Sequence, residues 1–342
     1  MTAILFRCFS PTRPGAKIGG MNAPPLTLCT HHLIVGDGVI GQATAQALRA
    51  LSQPVTLASR HAPTRATAHV PHLVLDALDG AAMRAAATGV SHLYLTLGLP
   101  YRAAVWQRDW PRVMRNAIDA ALAHGARLLW FDNVYAYGPL PLRVPMREDH
   151  PIDPPSCKGK VRAGLLTMLQ QAGEREGLRW LVARSADFYG PDVRLSALYS
   201  AAIQRQLRCR VACWLGDPDT LHSFTYTPDA GRALARLALD DAAYQQSWHL
   251  PTAAPAPTPR ELLTASARLL GAPTDVHALP LPLIHVLGLA VPLLREVSEM
   301  LYQNRQSYVF SSEKFMRRYP DFDVTPYAEG LRAMVESFRA RA

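Results

Sequence analysis

Three glycines with the spacing of a phosphate-binding turn lie near the start of the chain. Gly36, Gly38 and Gly41 follow an apolar run and precede a helical pattern of apolar residues. Glycine lets the chain turn sharply at the first position, lets backbone N–H groups approach a pyrophosphate at the second, and lets the helix pack on the strand at the third. The helix N-terminus then faces the phosphates. The predicted cofactor contacts in this dinucleotide-binding turn are Gly36, Asp37, Gly38, Val39, Ile40 and Gly41.

The end of the next predicted strand, Val55 to Ala58, indicates which dinucleotide is bound. NAD-binding proteins usually place Asp or Glu there to hold the ribose 2′-OH. This chain has Ser59 and Arg60 instead. Because an arginine pairs strongly with a phosphate, we predict NADP as the preferred cofactor, with NAD as the alternative.

Composition limits the function classes. The 342 residues carry a net charge of +9, and only four of the 36 basic residues are lysines. The arginines are spread along the chain without aromatic-interleaved basic clusters, so we expect no nucleic-acid partner. The five cysteines lack disulfide or metal-ligand spacing, so we predict no metal and a cytoplasmic location. The apolar stretch from Leu279 to Leu294 is too short and too interrupted by proline to span a bilayer.

Strand and helix patterns alternate through the first half of the chain, which predicts an α/β fold with a doubly wound parallel sheet of the Rossmann type. We place this dinucleotide-binding domain at residues 31–190. Less regular patterns over 191–342 predict a smaller C-terminal lobe that mainly binds substrate. Residues 1–30 are expected to be a disordered extension.

Several ordered motifs together carry a family resemblance. They are the glycine turn, Asp76, Leu97-Gly98, the segment from Phe131 to Gly138, the segment from Pro155 to Lys160, and Arg184 with Phe188 to Pro191. Over residues 31 to 340 the chain resembles the extended short-chain dehydrogenase/reductase family, which includes UDP-sugar epimerases and dehydratases. The resemblance implies that Asp76 lies beside the adenine, that Leu97 and Gly98 pass the central part of the cofactor, and that Lys160 bonds the nicotinamide ribose. It also implies a homodimer built on the helices near 104–124 and 157–173.

The catalytic positions depart from that family. Its Tyr-x-x-x-Lys pair, in which the lysine lowers the tyrosine pKa for proton exchange, reads Ser156-x-x-x-Lys160 here, and Asn133 replaces the family's Ser or Thr. We therefore expect Tyr135 to supply the proton. Two alternatives stay open, a water relay from Ser156 to Lys160 or Lys158, and a site that binds without proton transfer.

The substrate side is predicted from polar and aromatic residues near these motifs. They are Asp132, Asp187, Phe188, His222 and Phe224. The sequence thus predicts an NADP-preferring oxidoreductase or epimerase-like enzyme that acts on a small or nucleotide-linked substrate through a carbonyl or hydroxyl group. The alternatives are a catalytically inactive dinucleotide sensor and an NAD-dependent nucleotide-sugar epimerase or dehydratase.

Overall fold

The computed structural model describes residues 30–63, 69–288 and 290–341, so the extension predicted over residues 1–30 lies outside the described residues except for Thr30. The strands are β1 (His32–Val35), β2 (Val55–Ser59), β3 (His72–Val74), β4 (His92–Leu95), β5 (Arg127–Asp132), β6 (Trp180–Arg184), β7 (Asp187–Tyr189), β8 (Ala212–Leu215), β9 (Phe224–Tyr226), β10 (Gln246–His249) and β11 (Val276–Leu279).

The α-helices are α1 (Val39–Ala50), α2 (Gly80–Ala86), α3 (Ala103–His124), α4 (Cys157–Glu176), α5 (Gln204–Gln206), α6 (Thr227–Ala238), α7 (Pro259–Leu270), α8 (Leu281–Gly288), α9 (Pro292–Ser298), α10 (Glu313–Arg318) and α11 (Tyr327–Arg339). Short π or 3-10 turns cover Tyr199–Ile203, Asp241–Ala243 and Leu301–Asn304.

A seven-stranded parallel sheet forms the centre of the molecule, in the order β10-β6-β5-β4-β1-β2-β3. The sequence order reverses beside β1, where β1 pairs with both β2 and β4. Parallel sheets of this kind bind ligands outside the carboxyl ends of the strands at such a reversal. The glycine turn follows β1 directly, so the fold places it at this point. The predicted α/β doubly wound sheet is confirmed.

Helices cover both faces of the sheet because successive strand residues point to opposite sides. Leu33 and Val35 pack with side chains of α2, α3 and α4. Ile34, between them, packs with side chains of α1 and α6. Parallel strands that are covered on both faces carry continuous apolar runs, as Leu33, Ile34 and Val35 of β1 show.

The chain beyond residue 190 contributes to both lobes. β10 pairs with β6 and extends the central sheet, and α6 packs on α1. A separate core, built from β8, β9, α7 and α11, surrounds Trp214, Phe224 and Met334. Among the described residues, no helix has both the length and the apolar character that crossing a bilayer requires.

Candidate functional site

The glycine turn between β1 and α1 forms a cradle that side chains would obstruct. Gly36 has a φ of +120°, and a Cβ atom there would collide with the backbone of Leu97. A Cβ atom on Gly41 would collide with the carbonyl oxygen of Gly36. Gly38 caps α1 without a side-chain hydrogen bond, and its Cβ position has no atom within 4 Å. The first N–H groups of a helix lack intrahelical partners, and the pyrophosphate contact at this turn stays a prediction.

The end of β4 runs beside this turn, where the cofactor's central part was expected. Thr96 Oγ1 donates a 2.9 Å hydrogen bond to the carbonyl oxygen of Gly36. Leu97 touches Gly36, and Gly98 is exposed with open space at its Cβ position. Asp76, after β3, is also exposed, and its Oδ1 accepts a 3.0 Å hydrogen bond from the backbone two residues later. Leu97, Gly98 and Asp76 stay predicted cofactor contacts.

Ser59, at the end of β2, meets a histidine that the sequence interpretation missed. Ser59 Oγ and His72 Nε2 are 3.1 Å apart. The same His72 nitrogen lies 3.7 Å from Asp37 Oδ2. Arg60 follows Ser59 and is exposed. The predicted 2′-position of the cofactor is thus bordered by a hydroxyl, an imidazole, a carboxylate and a guanidinium group.

The two lysines at the start of α4 lie in different environments. Lys158 is 0 % exposed, whereas Lys160 is exposed. Helix residues two apart in sequence do not share a face, so α4 turns only one of them inward. Lys158 Nζ lies 4.4 Å from the centre of the Tyr101 ring. The ribose contact implied for Lys160 stays a prediction, and Lys158 is the ammonium group that α4 turns into the protein interior.

Ser156 is the N-cap of α4. Its Oγ accepts a 3.0 Å hydrogen bond from the Gly159 N–H group, and the residue is buried. Such a cap stabilises a helix by about 1 kcal/mol. The Ser156 hydroxyl oxygen thus accepts a hydrogen bond from the helix backbone, and the catalytic relay through Ser156 stays a prediction.

Two carboxylates from a distant part of the chain contact Lys158. Lys158 Nζ donates hydrogen bonds to Glu296 Oε2 at 2.7 Å and to Glu299 Oε1 at 2.5 Å. Glu299 Oε2 accepts a 2.9 Å bond from Cys157 N–H, and Glu296 Oε2 accepts a 2.8 Å bond from Ala103 N–H. We call residues 290–305 the strap. The strap contacts the first residues of both α3 and α4.

Tyr135 lies in a group of aromatic and polar side chains. Tyr101 OH donates a 3.3 Å hydrogen bond to Tyr135 OH, and Asn133 Oδ1 accepts a 3.0 Å bond from Tyr135 N–H. The Tyr135 ring stacks on Trp106. Burial raises the pKa of Tyr135, and the negative charge of Asp187 raises it further. A phenol that retains its proton this firmly can donate a hydrogen bond to a substrate oxygen, but it is a poor base.

Asp132 is buried behind the site rather than in it. Its Oδ1 lies 3.6 Å from Arg162 Nε, and its Oδ2 lies 3.5 Å from Arg184 Nε. Arg184 also donates a 3.1 Å hydrogen bond to Tyr137 OH, which is 2.6 Å from His249 Nε2. The substrate contact expected for Asp132 is therefore corrected, because its carboxylate is enclosed between two arginines. Tyr137 packs structurally, as expected.

Asp187 and His222 form an ion-pair geometry on the substrate side. Asp187 Oδ2 and His222 Nε2 are 2.9 Å apart, and their side chains are 32 % and 1 % exposed. His222 stacks on Tyr308 with ring centres 4.5 Å apart. Phe188 is half-buried. Phe224 is completely buried in the core of the second lobe, which corrects its expected place in the substrate site.

Sequence reasoning missed four further residues at the site, namely His72, Tyr101, Glu296 and Glu299. The two glutamates offered one signal, because acidic residues three apart on a helix share a face. Both glutamates lie close to an apolar stretch, and two neighbouring carboxylates in such surroundings need a cation to compensate their charge. His72 and Tyr101 offered none, since each lies outside the motifs that carry the resemblance.

The family model for the NAD dependent epimerase/dehydratase family matches residues 32–248. The chain belongs to this family. The predicted resemblance to extended short-chain dehydrogenases/reductases is thereby confirmed. No curated protein matches the sequence.

Solved structures of low sequence identity share the fold. A UDP-glucose 4-epimerase from Thermus thermophilus in complex with NAD is 19% identical, with a TM-score of 0.72, over 92% of this chain and 100% of that one. A dTDP-glucose 4,6-dehydratase from Streptomyces venezuelae with NAD bound is 18% identical, with a TM-score of 0.74, over 91% and 97%. A putative epimerase from Burkholderia cenocepacia is 20% identical, with a TM-score of 0.72, over 91% and 98%.

Proposed function

We propose that this family member binds a nicotinamide dinucleotide at the glycine turn and uses it in an oxidoreductase or epimerase-like reaction on a small substrate with a carbonyl or hydroxyl group. The observation that carries the proposal is the cradle at Gly36, Gly38 and Gly41. It leaves the first turn of α1 open at the carboxyl edge of the sheet.

The side chains facing this edge support proton chemistry by a route without the family tyrosine. A bound nicotinamide ring supplies the donor or acceptor of a hydride. Tyr135 retains its proton and donates a hydrogen bond to the substrate oxygen. Asp187, partly exposed and fixed by His222, accepts the proton of a substrate hydroxyl during oxidation and returns it during reduction. Asn133 is a positioning residue, because it fixes the backbone of Tyr135.

A preference for NADP over NAD is part of the proposal. It is supported by the exposed Arg60 and by a serine, not a carboxylate, at the end of β2. A homodimer built on α3 and α4 and a cytoplasmic location also stay predictions.

Titration with NADPH and NADH, followed by nicotinamide fluorescence, tests the cofactor site without a known substrate. Gly38→Leu fills the open space above α1, and its φ of −67° suits any residue. We expect it to fold and to weaken both cofactors at least about ten-fold, since one lost backbone–phosphate contact is worth about 1.4 kcal/mol. Gly164→Leu is the matched control, because that exposed α4 glycine also has an open Cβ position. Equal affinities in the two variants would disprove the site.

A dinucleotide sensor without catalysis is the second candidate. The capping role of Ser156 favours it, because the family's tyrosine position then holds no acid or base. A screen of carbonyl compounds for NADPH oxidation separates the two candidates. Turnover that depends on Asp187 and Tyr135 supports the enzyme, whereas tight binding without turnover of any compound supports the sensor.

A further inference from the structure

His72 lies between two groups at the predicted adenosine end of the dinucleotide site. Its Nε2 is 3.1 Å from Ser59 Oγ on β2. The same atom is 3.7 Å from Asp37 Oδ2 in the glycine turn, and the His72 side chain is 3 % exposed against 28 % for Asp37. The ring is thus held in place, while the carboxylate beside it remains accessible to a ligand.

If the cofactor binds as proposed, this contact lies beside the adenosine ribose of the dinucleotide. A dinucleotide with its pyrophosphate on α1 places the adenosine ribose at the end of β2, where Ser59 lies. The Asp37 carboxylate borders that place. A carboxylate accepts a hydrogen bond from a ribose 2′-OH, whereas it repels a 2′-phosphate.

The protonation state of His72 changes that balance. Neutral His72 leaves the Asp37 charge uncompensated, and an imidazolium neutralises it and adds a donor that faces Ser59. Among the described residues, Asp37 and Ser59 contact the ring. The other titratable or charged groups among the described residues of the neighbouring segments are Arg60 and His61 after β2, His69 before β3 and Asp76 after β3. Of these, Arg60 carries a guanidinium group, which pairs well with a phosphate.

We propose that His72 and Asp37 together determine which dinucleotide the site takes. Neutral His72 beside ionised Asp37 selects the 2′-OH of NAD(H). Protonated His72 cancels the charge of the Asp37 carboxylate, so that the exposed Arg60 binds the 2′-phosphate of NADP(H). His72 is therefore a specificity-determining residue, and the predicted NADP preference requires its protonated form.

Equilibrium titrations with NADH and NADPH between about pH 5.5 and about pH 8.5 test this, because histidine is the side-chain type whose charge changes in this range. We expect the ratio of the NADPH to the NADH dissociation constant to rise about ten-fold towards high pH, equivalent to about 1.4 kcal/mol. Circular dichroism at each pH verifies that the protein stays folded.

The 2′-phosphate itself titrates near about pH 6. Two variants therefore distinguish the pH dependence that comes from His72 from that of the ligand. His72→Gln can still bond Ser59 but cannot take up a proton, so only the phosphate's own pH dependence should remain. Asp37→Asn removes the repelling charge, so we expect its ratio near about pH 8.5 to fall about ten-fold below that of the unaltered protein. If His72→Gln does not fold, His72→Asn replaces it.

The outcomes are distinct. The proposal is overturned if the ratio of dissociation constants has the same pH dependence in the unaltered protein and in the His72→Gln variant. The proposed function survives that result. An Asp37→Asn variant with an unchanged ratio also overturns it. If neither dinucleotide binds at any pH, the proposed function fails and this inference fails with it.

Discussion

Lys158 is a fully buried cation, and its charge is compensated by carboxylates that come from the strap. Removing the ammonium leaves the carboxylates of Glu296 and Glu299 with their backbone hydrogen bonds but without the cation that compensates their charge. We predict that Lys158→Met lowers the free energy of unfolding by about 3 kcal/mol, the lower part of the range for a broken buried pair, because both carboxylates keep some solvent contact. Urea unfolding measures this.

Lys160→Met provides the control for that variant on the same turn of α4. Lys160 is exposed, so its replacement should leave the unfolding free energy nearly unchanged. Equal losses in the two variants would contradict the assignment of Lys158 as the buried ammonium.

Replacing Asp187 and replacing Tyr135 should lower kcat by different amounts, which can be measured once a substrate is found. Asp187→Asn removes the proposed proton acceptor and should lower kcat by about 10² to 10⁴-fold. Tyr135→Phe removes a hydrogen-bond donor to the substrate oxygen and should lower kcat by about 10²-fold. Steady-state kinetics over a pH range measures both. An Asp187→Asn variant that keeps full turnover and an unchanged pH profile refutes the role of Asp187.

Individual residues were predictable where local geometry dictates them. Gly36 needs its positive φ and Gly41 its close approach to the strand, and both requirements can be read from the spacing. The sequence could not show which of Lys158 and Lys160 faces inward, because that depends on where Ser156 begins the helix. Nor could it show that Asp132 is enclosed by arginines that lie 30 and 52 positions later in the chain.

The strap is an element that only tertiary contacts position. α9 carries Glu296, and Glu299 follows directly, so both carboxylates point to the starts of α3 and α4. The apolar stretch from Leu279 to Leu294 indicated only that this segment is too short and too interrupted by proline to span a bilayer. It carried no information about which residues the strap contacts, since a contact across more than 130 residues leaves no local pattern in the sequence.

Loss of both carboxylate charges should loosen the strap without unfolding the sheet. For the double variant Glu296→Gln, Glu299→Gln we predict amide hydrogen exchange about ten-fold faster in residues 290–305, with β1 and β4 unchanged. Glu313→Gln is the control, because its 2.6 Å contact with Arg147 is between half-exposed side chains and contributes little. Unchanged exchange in the strap argues against its attachment through Lys158.

The proposed cofactor site and a buried histidine pair lie at opposite ends of the central strands. The carboxyl ends of β1, β2 and β4 border the proposed dinucleotide site, whereas β1 and β4 each begin with a buried histidine. His32 and His92 are partners in the β1–β4 register and stack with ring centres 4.5 Å apart. The sheet could be predicted from alternating apolar runs, but this stack could not, because it depends on strands 60 residues apart pairing in that register.

Acid should therefore lower the free energy of unfolding through this histidine pair. Burial lowers the pKa of His32 to about 4 and that of His92 to about 3, while both titrate near about 6.5 in the unfolded chain. Between these values the unfolded state binds more protons, so stability is lost as pH falls below about 6.5, by up to about 1.4 kcal/mol per pH unit for each histidine. Urea unfolding from pH 8 to about pH 4 measures the slope. His92→Gln should reduce it, while His124→Gln, at an exposed position, should not. Identical slopes in both variants would mean that the stacked pair does not set the acid limit.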